Sequence, residues 1–253
     1  MSVKGKIVII TGGAMGIGRF VAGTFATEGA RLAIADIAPM DTVAREVEAL
    51  GAEVFPVKTD ITVEAEVRSL MEQVNRHYGR IDVLLNNAAI VTHFNAGRPR
   101  WPRIRDMDQS FFEKVIRTNL MGTILCTKHV VPYMEKQRSG HIINVGQGSV
   151  ARETTPGSLG SCVYGTTKVA IRAFTQRVAP EEREFNICIV SMGPGSADGR
   201  RGIITEGTPE ENRPFMSPIE SVGNRYVIAA EAPMEFTGHQ VSVRNGVLEI
   251  APN

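Results

Sequence analysis

The pair in this chain best suited to chemistry is a tyrosine and a lysine four residues apart, in Tyr164-Gly165-Thr166-Thr167-Lys168. A free phenol titrates near pH 10, too high to exchange its proton readily at neutrality. A nearby cation favours the phenolate, and residues at i and i+4 share one face of a helix. About 150 residues upstream lies a second constellation. There the apolar run Ile7-Val8-Ile9-Ile10 leads into Thr11-Gly12-Gly13-Ala14-Met15-Gly16-Ile17-Gly18. Glycines between a buried strand and a helix let the backbone approach a pyrophosphate, and the helix start offers it free N–H groups and a positive dipole end. Asp36 follows about 20 residues on, where a carboxylate can accept both ribose hydroxyls of NAD and would repel a 2′-phosphate. Each signal alone has a plainer reading: a tight strand–helix turn, an acid capping the next segment, a solvated Tyr/Lys pair. Together they describe a dinucleotide cradle with a proton-transfer pair.

These groups need a scaffold. Short apolar runs expected as strands are Ile7–Ile10, Arg31–Ala35, Val54–Thr59, Val83–Asn86, His141–Val145, Ile187–Ser191 and Gln240–Val243. Helical patterns fall between them at Gly16–Glu28, Asp41–Leu50, Val63–Tyr78, Phe111–Glu135, Tyr164–Glu181 and Ile219–Ala230. Such alternation, with nearly continuous apolar strands, specifies an α/β class protein whose parallel sheet is covered on both faces. No repeat, linker or low-complexity tract divides residues 1–253, so one Rossmann-like domain is expected. Two long loops break the rhythm, Thr92–Asp108 and Gly193–Ser217. In an open parallel sheet, loops after strands border the ligand crevice and select substrate.

Composition excludes several classes. The chain has 28 Lys and Arg against 27 Asp and Glu, a net charge of +1. Bulk electrostatics therefore gives no reason to expect nucleic acid or a membrane surface as partner. No apolar stretch approaches the roughly 18 residues of a membrane span, and Met1–Lys6 does not read as a signal peptide. Cys126, Cys162 and Cys188 read as free, packed thiols, which with the missing leader gives a cytoplasmic expectation. The five histidines show no ligand spacing, so no metal is expected.

At this point the chain resembles the short-chain dehydrogenase/reductase family over nearly its whole length. Thr11–Gly18 is similar to the family's TGxxxGxG signature, with Gly12, Met15, Gly16, Ile17 and Gly18 in the cofactor turn. Asp60-Ile61 matches its adenine-contacting acid. Asn86-Asn87-Ala88-Ala89 is similar to NNAG, with Asn87 and Ala88 beside the cofactor and Ala89 replacing glycine. Asn119 matches the helical asparagine, and Tyr164 and Lys168 match YxxxK. Pro194-Gly195 resembles the turn beside the nicotinamide. The resemblance implies a seven-stranded parallel sheet in the order 3-2-1-4-5-6-7 and a homodimer or homotetramer. It implies that Tyr164 is the acid/base and that Lys168 lowers its pKa and holds the nicotinamide ribose. It further implies that the Asn119 carbonyl holds a water in a proton relay.

The family's serine has no simple counterpart. Thirteen positions before Tyr164, its common place, stands Ala151, and where two serines often follow the strand this chain has Gly146-Gln147. Either Ser149 polarises the substrate oxygen, the preferred alignment, or the Gln147 amide donates the same bond. The chain end also departs: the acid of the usual Asp-Gly-Gly is missing after Thr237-Gly238, which bears on the usual subunit contact. Arg98, Arg100, Arg103 and Arg105 around Trp101, with Arg200-Arg201, either face solvent or a subunit, or receive an anionic substrate.

The expected activity is NAD-dependent interconversion of a secondary alcohol and a ketone on a small-molecule substrate. One alternative is an NADPH-dependent carbonyl or 3-oxoacyl reductase, NADP being disfavoured by Asp36 and the non-basic Met15. The other is a dinucleotide-binding regulator or subunit without turnover.

Overall fold

The computed structural model describes residues 3–90, 104–146, 162–194 and 217–251, together with positions 203, 204, 208, 210 and 213. One sheet runs through them. Its parallel strands are β1 (Ile7–Thr11), β2 (Arg31–Asp36), β3 (Val54–Lys58), β4 (Val83–Asn86), β5 (Gly140–Val145), β6 (Ile187–Met192) and β7 (Gln240–Arg244), in the spatial order 3-2-1-4-5-6-7. An eighth strand, β8 (Val247–Ile250), extends the β7 edge antiparallel.

Helices cover both faces: α1 (Gly16–Thr27), α2 (Asp41–Ala49), α3 (Glu64–Tyr78), α4 (Gln109–Ile116), α5 (Gly122–Gln137), α6 (Cys162–Glu182) and the short α7 (Arg225–Ala229). Runs of adjacent apolar residues recur in the strands because successive side chains enter different cores. Val8 and Ile10 join Leu32 and Ile34 on the side of α1 and α2. Ile7 and Ile9 join Ala33 and Ala35 on the side of α3 and α5. Pro56 can sit in β3 because that strand lies at the sheet edge, where a missing N–H breaks no ladder. No helix among the described residues is long and apolar enough to cross a membrane.

Three departures from the sequence reading have local causes. β8 makes the sheet eight-stranded rather than seven. Its signal was Asn245-Gly246, whose φ of 51° and 77° form the mirror-image turn that joins twisted hairpin strands. The helix expected at Phe111–Glu135 is α4 and α5 joined by a π-helical turn at Arg117–Met121. The helix expected at Ile219–Ala230 is a 3₁₀ turn, Ile219–Val222, interrupted at Gly223 before α7 begins.

Gly246→Ala should lower stability by about 1 kcal/mol, because Ala at positive φ is strained. Hydrogen exchange should show lost protection in Val247–Ile250 while β1–β6 stay protected; uniform loss across the sheet would contradict the turn assignment.

Candidate active site

The glycine turn is held by hydrogen bonds from two neighbouring strands. Thr11 Oγ1 accepts the N–H groups of Asn87 and Ala88, each at 3.1 Å. The Asn87 side chain donates to the carbonyls of Thr11 and Gly12 at 3.0 and 2.9 Å. Gly12 has a φ of +67°, and a Cβ there would lie 2.6 Å from the Ala88 Cα. A Cβ on Gly18 would lie 2.1 Å from the Gly12 carbonyl oxygen, so α1 can press against the turn only with glycine at that position.

Met15 precedes α1 without a side-chain cap, and no acid occupies the first turn. The uncapped N–H groups and the glycine backbone fit a pyrophosphate. Met15 itself is exposed, and Ile17 packs on the core beneath. Asp36, at the end of β2, accepts from the backbone N–H of Ala14 and of Ala38, both at 3.0 Å. Its carboxylate therefore sits beside the turn in a fixed orientation.

Asp60 accepts from Thr62 N and Thr62 Oγ1 at 2.9 and 2.7 Å. The Ile61 side chain is buried under α5, where a Cβ on Gly122 would come within 2.4 Å of it. Packing takes the Ile61 side chain, which leaves its backbone for any ligand.

The second half of the site stands at the end of β5. Lys168 is 2% exposed and donates from Nζ to the Val145 carbonyl at 2.8 Å. The same Nζ lies 5.6 Å from the Tyr164 ring centroid, so the two side chains share one side of α6. Burial pushes the Tyr164 phenol up to about 12 and the Lys168 ammonium down to about 8. Removal from water disfavours the charged form of each group.

Asn119 is wholly buried in the π turn. Its Oδ1 accepts from Ile90 N at 2.7 Å, and its Nδ2 donates to Ile90 O at 3.3 Å and to Thr167 Oγ1 at 3.4 Å. Thr167 in turn donates to the Tyr164 carbonyl at 2.7 Å. The Asn119 carbonyl expected to hold a water accepts from Thr123 Oγ1 at 3.0 Å, which leaves its second lone pair. Around Tyr164, an apolar wall of Ile90, Met107, Phe111, Phe112, Val115 and Val163 packs together.

Sequence reasoning missed a polar ladder under the site. Asn86 Nδ2 donates to Thr127 Oγ1 at 3.2 Å and to Asn144 Oδ1 at 2.9 Å; Asn144 Nδ2 donates to Thr175 Oγ1 at 2.9 Å. Its signal was an asparagine inside the apolar run His141–Val145, since a buried amide requires partners. Gly146 has its own reason: a Cβ there would lie 2.4 Å from Ser191 Oγ, which donates to Gln240 at 3.0 Å.

Pro194 lies just after β6, partly exposed. Gly195, Ser149, Gln147, Arg98, Arg100, Trp101, Arg103, Arg200 and Arg201 lie outside the described residues. Arg105 pairs on the surface with Asp106 at 3.5 Å. Cys162, read as packed, is exposed at the start of α6. No cluster of metal-ligating side chains occurs among the described residues.

A family model described as short chain dehydrogenase matches residues 6–202. The chain belongs to that family. It is 32% identical to the 3-oxoacyl-[acyl-carrier-protein] reductase of Thermotoga maritima, an alignment covering 98% of this chain and 100% of that protein. A short-chain type dehydrogenase/reductase from Mycobacterium marinum superposes with a TM-score of 0.81 at 27% identity, covering 94% of each chain. A 7α-hydroxysteroid dehydrogenase, solved with NADH and 7-oxo glycochenodeoxycholic acid, superposes with a TM-score of 0.78 at 26% identity, covering 98% of this chain and 97% of that one. Membership makes this short-chain dehydrogenase an oxidoreductase of hydroxyl or carbonyl groups.

The buried lysine of this short-chain dehydrogenase gives a pH prediction with a definite sign. Its ammonium has a folded pKa of about 8 against an ordinary 10.5. Between those values the unfolded chain binds the extra proton, so stability rises with pH. Chemical denaturation of wild type and Lys168→Met should show wild type gaining on the variant from pH 8 upward; a difference flat in pH would refute a buried ammonium.

Proposed function

We propose that this short-chain dehydrogenase interconverts a secondary alcohol and its ketone with NAD(H), Tyr164 being the acid/base. One observation carries the reading: a buried ammonium and a phenol share one side of α6 at the carboxyl end of β5, 5.6 Å from nitrogen to ring centroid. When bound, the nicotinamide supplies hydride exchange and, in its oxidised form, a positive charge. Tyr164 takes the hydroxyl proton in oxidation and returns it in reduction. Lys168, fixed by the Val145 carbonyl, stands where it can hold the nicotinamide ribose and favour the phenolate. Asn119 clasps the Ile90 backbone and, through Thr167, the first turn of α6, and so sets the spacing of the two walls. Ser149 is the preferred partner for the substrate oxygen, with Gln147 as the alternative.

The turn from Gly12 to Gly18 would receive the pyrophosphate, with Met15 and Ile17 at its rim. Asp60, Ile61, Asn87 and Ala88 would border the adenosine side, and Pro194 and Gly195 the nicotinamide. NAD(H) is favoured over NADP(H) because Asp36 presents a carboxylate at the ribose position. Arg19, the basic residue on α1, is spoken for by Glu46 of α2, to which its Nε donates at 2.7 Å. The reading includes a homodimeric or homotetrameric assembly. A second reading, NADPH-dependent 3-oxoacyl reduction, is favoured by the likeness to the Thermotoga reductase and opposed by Asp36.

Tyr164→Phe should reduce turnover of secondary alcohols by about 10²–10⁴-fold, the usual share of a positioned acid/base. Rates measured with NAD across an alcohol panel test this; an undiminished variant would falsify the assignment. Asp36→Ala should weaken NADH binding while improving NADPH, as read by fluorescence titration. If wild type already prefers NADPH, the second reading replaces the first.

A further inference from the structure

The Val145 carbonyl that receives Lys168 belongs to the same peptide unit as the Gly146 N–H. A trans peptide is planar, with its C=O and N–H pointing opposite ways. The Gly146 N–H donates to the Met192 carbonyl of β6 at 3.1 Å. It shares its proton with the Asn144 carbonyl at 2.9 Å, the three-residue turn that ends β5. The N–H therefore faces β6, and the carbonyl is turned away, where Lys168 Nζ meets it at 2.8 Å. Whatever fixes Gly146 fixes the acceptor of the ammonium.

A pair on the next two strands does so. Ser191 of β6 and Gln240 of β7 stand in register, 0% and 4% exposed. Ser191 Oγ donates to Gln240 Oε1 at 3.0 Å. A Cβ on Gly146 would collide with that same Ser191 Oγ. The next atoms it would meet, the Lys168 carbonyl oxygen at 3.4 Å and Gln240 Oε1 at 3.7 Å, lie at ordinary contact distances. One hydroxyl thus keeps every side chain out of position 146.

The sheet itself does not call for this pair. Strands covered on both faces are otherwise apolar, and two aliphatic side chains would leave no polar atom to satisfy. A hydroxyl differs in being directional: its bond to Gln240 holds Oγ in one orientation, beside Gly146. Without it the peptide could lean toward β6 and carry its carbonyl away from Lys168.

We propose that Ser191, oriented by Gln240, is a positioning residue for Lys168: its hydroxyl sets the tilt of the Val145–Gly146 peptide whose carbonyl receives the ammonium. The proposal deepens the acid/base reading above and rests on it for the effect on turnover.

Wild type, Ser191→Ala, Gly146→Ala and the double variant test it. Alcohol oxidation by a phenolate should rise with pH, and a displaced ammonium moves that rise upward because the phenolate loses a nearby cation. Ser191→Ala should move the midpoint up and lower turnover near pH 7 by about three- to tenfold, the range of one neutral hydrogen bond. Gly146→Ala should move the midpoint further, by about one pH unit. With the hydroxyl removed the added methyl has room, so the double variant should be no worse than Ser191→Ala alone, a non-additivity expected only of groups in contact. ADP, which lacks the nicotinamide and its ribose, should bind all four proteins equally.

A Ser191→Ala profile superimposable on wild type, losses that add in the double variant, or ADP affinity falling in step with turnover would overturn the proposal. If Gly146→Ala does not fold, Ser191→Ala alone decides. A further readout is independent of turnover. The gain of stability with pH, which starts near the folded Lys168 value of about 8, should start lower in Ser191→Ala, since an ammonium without its carbonyl gives up its proton sooner; an unchanged onset would count against the contact. Wild type that binds ADP but oxidises no alcohol would overturn the acid/base reading instead, and the denaturation curves would still decide the role of Ser191.

Discussion

An ammonium removed from water is the constraint around which this site is built. Lys168 has exchanged its hydration for the Val145 carbonyl at the end of β5. Burial of a charge is unfavourable unless polar partners replace the lost water, so the lysine can occupy this position only if α6 keeps a fixed height above β5. A second tie enforces that height. Asn144, the neighbouring residue of the strand, donates to Thr175, seven residues along the helix from Lys168. Two anchors about two helical turns apart prevent α6 from sliding or turning about its axis. The phenol of Tyr164, one turn before the lysine, inherits that precision.

The opposite wall is positioned by a different device. A regular helix through residues 109–137 would keep one hydrogen-bond register. The π turn at Arg117–Met121 widens it and brings the Asn119 amide onto both backbone groups of Ile90. π turns concentrate at functional sites because their irregular bonding aims a side chain that a regular helix would misdirect. Here the aimed amide ties the exit of β4 to the first turn of α6 through Thr167. Asn86, Asn144 and Thr127 continue the polar connection beneath, so β4, β5, α5 and α6 meet in hydrogen bonds rather than in apolar contact alone. Directional bonds select one geometry where apolar packing would tolerate several.

How much of this could be read beforehand follows from what each feature depends on. A parallel sheet covered on both faces was legible, because runs such as Ile7–Ile10 are apolar at every position, whereas the strand order followed from the family resemblance alone. The glycine turn was legible because Gly12 and Gly18 answer a steric demand that no other residue meets. β8 was legible in Asn245-Gly246 but was overlooked beside the stronger parallel pattern. The π turn was not legible: Arg117–Met121 has no unusual composition, and its shape follows from the partner that Asn119 finds across the fold. The Asn144–Thr175 tie was hidden for the same reason, since it joins residues on different elements. The desolvation of Tyr164 and Lys168 was not legible, because spacing reveals which groups are neighbours and says nothing of how deeply they lie.

That last point changes how the site is understood. The phenol and the ammonium are both pressed toward their neutral forms, so neither is tuned for proton exchange by the other alone. Yet the burial that opposes charge also weakens screening, and a cation entering beside Tyr164 acts on it through a medium of low effective dielectric. The acidity of the phenol is therefore set by what lies against it. Coupling of this kind is reciprocal: whatever positive ring makes Tyr164 easier to deprotonate is itself bound more tightly once the proton has gone. In the proposed function, proton release would thereby be linked to the oxidised, charged form of a nicotinamide and not to the reduced, neutral one. A tyrosine left exposed would exchange protons with water whether or not the reaction could proceed. In the proposed function the partly buried Tyr164, with Lys168 beside it, would be held back until an external charge completes the site.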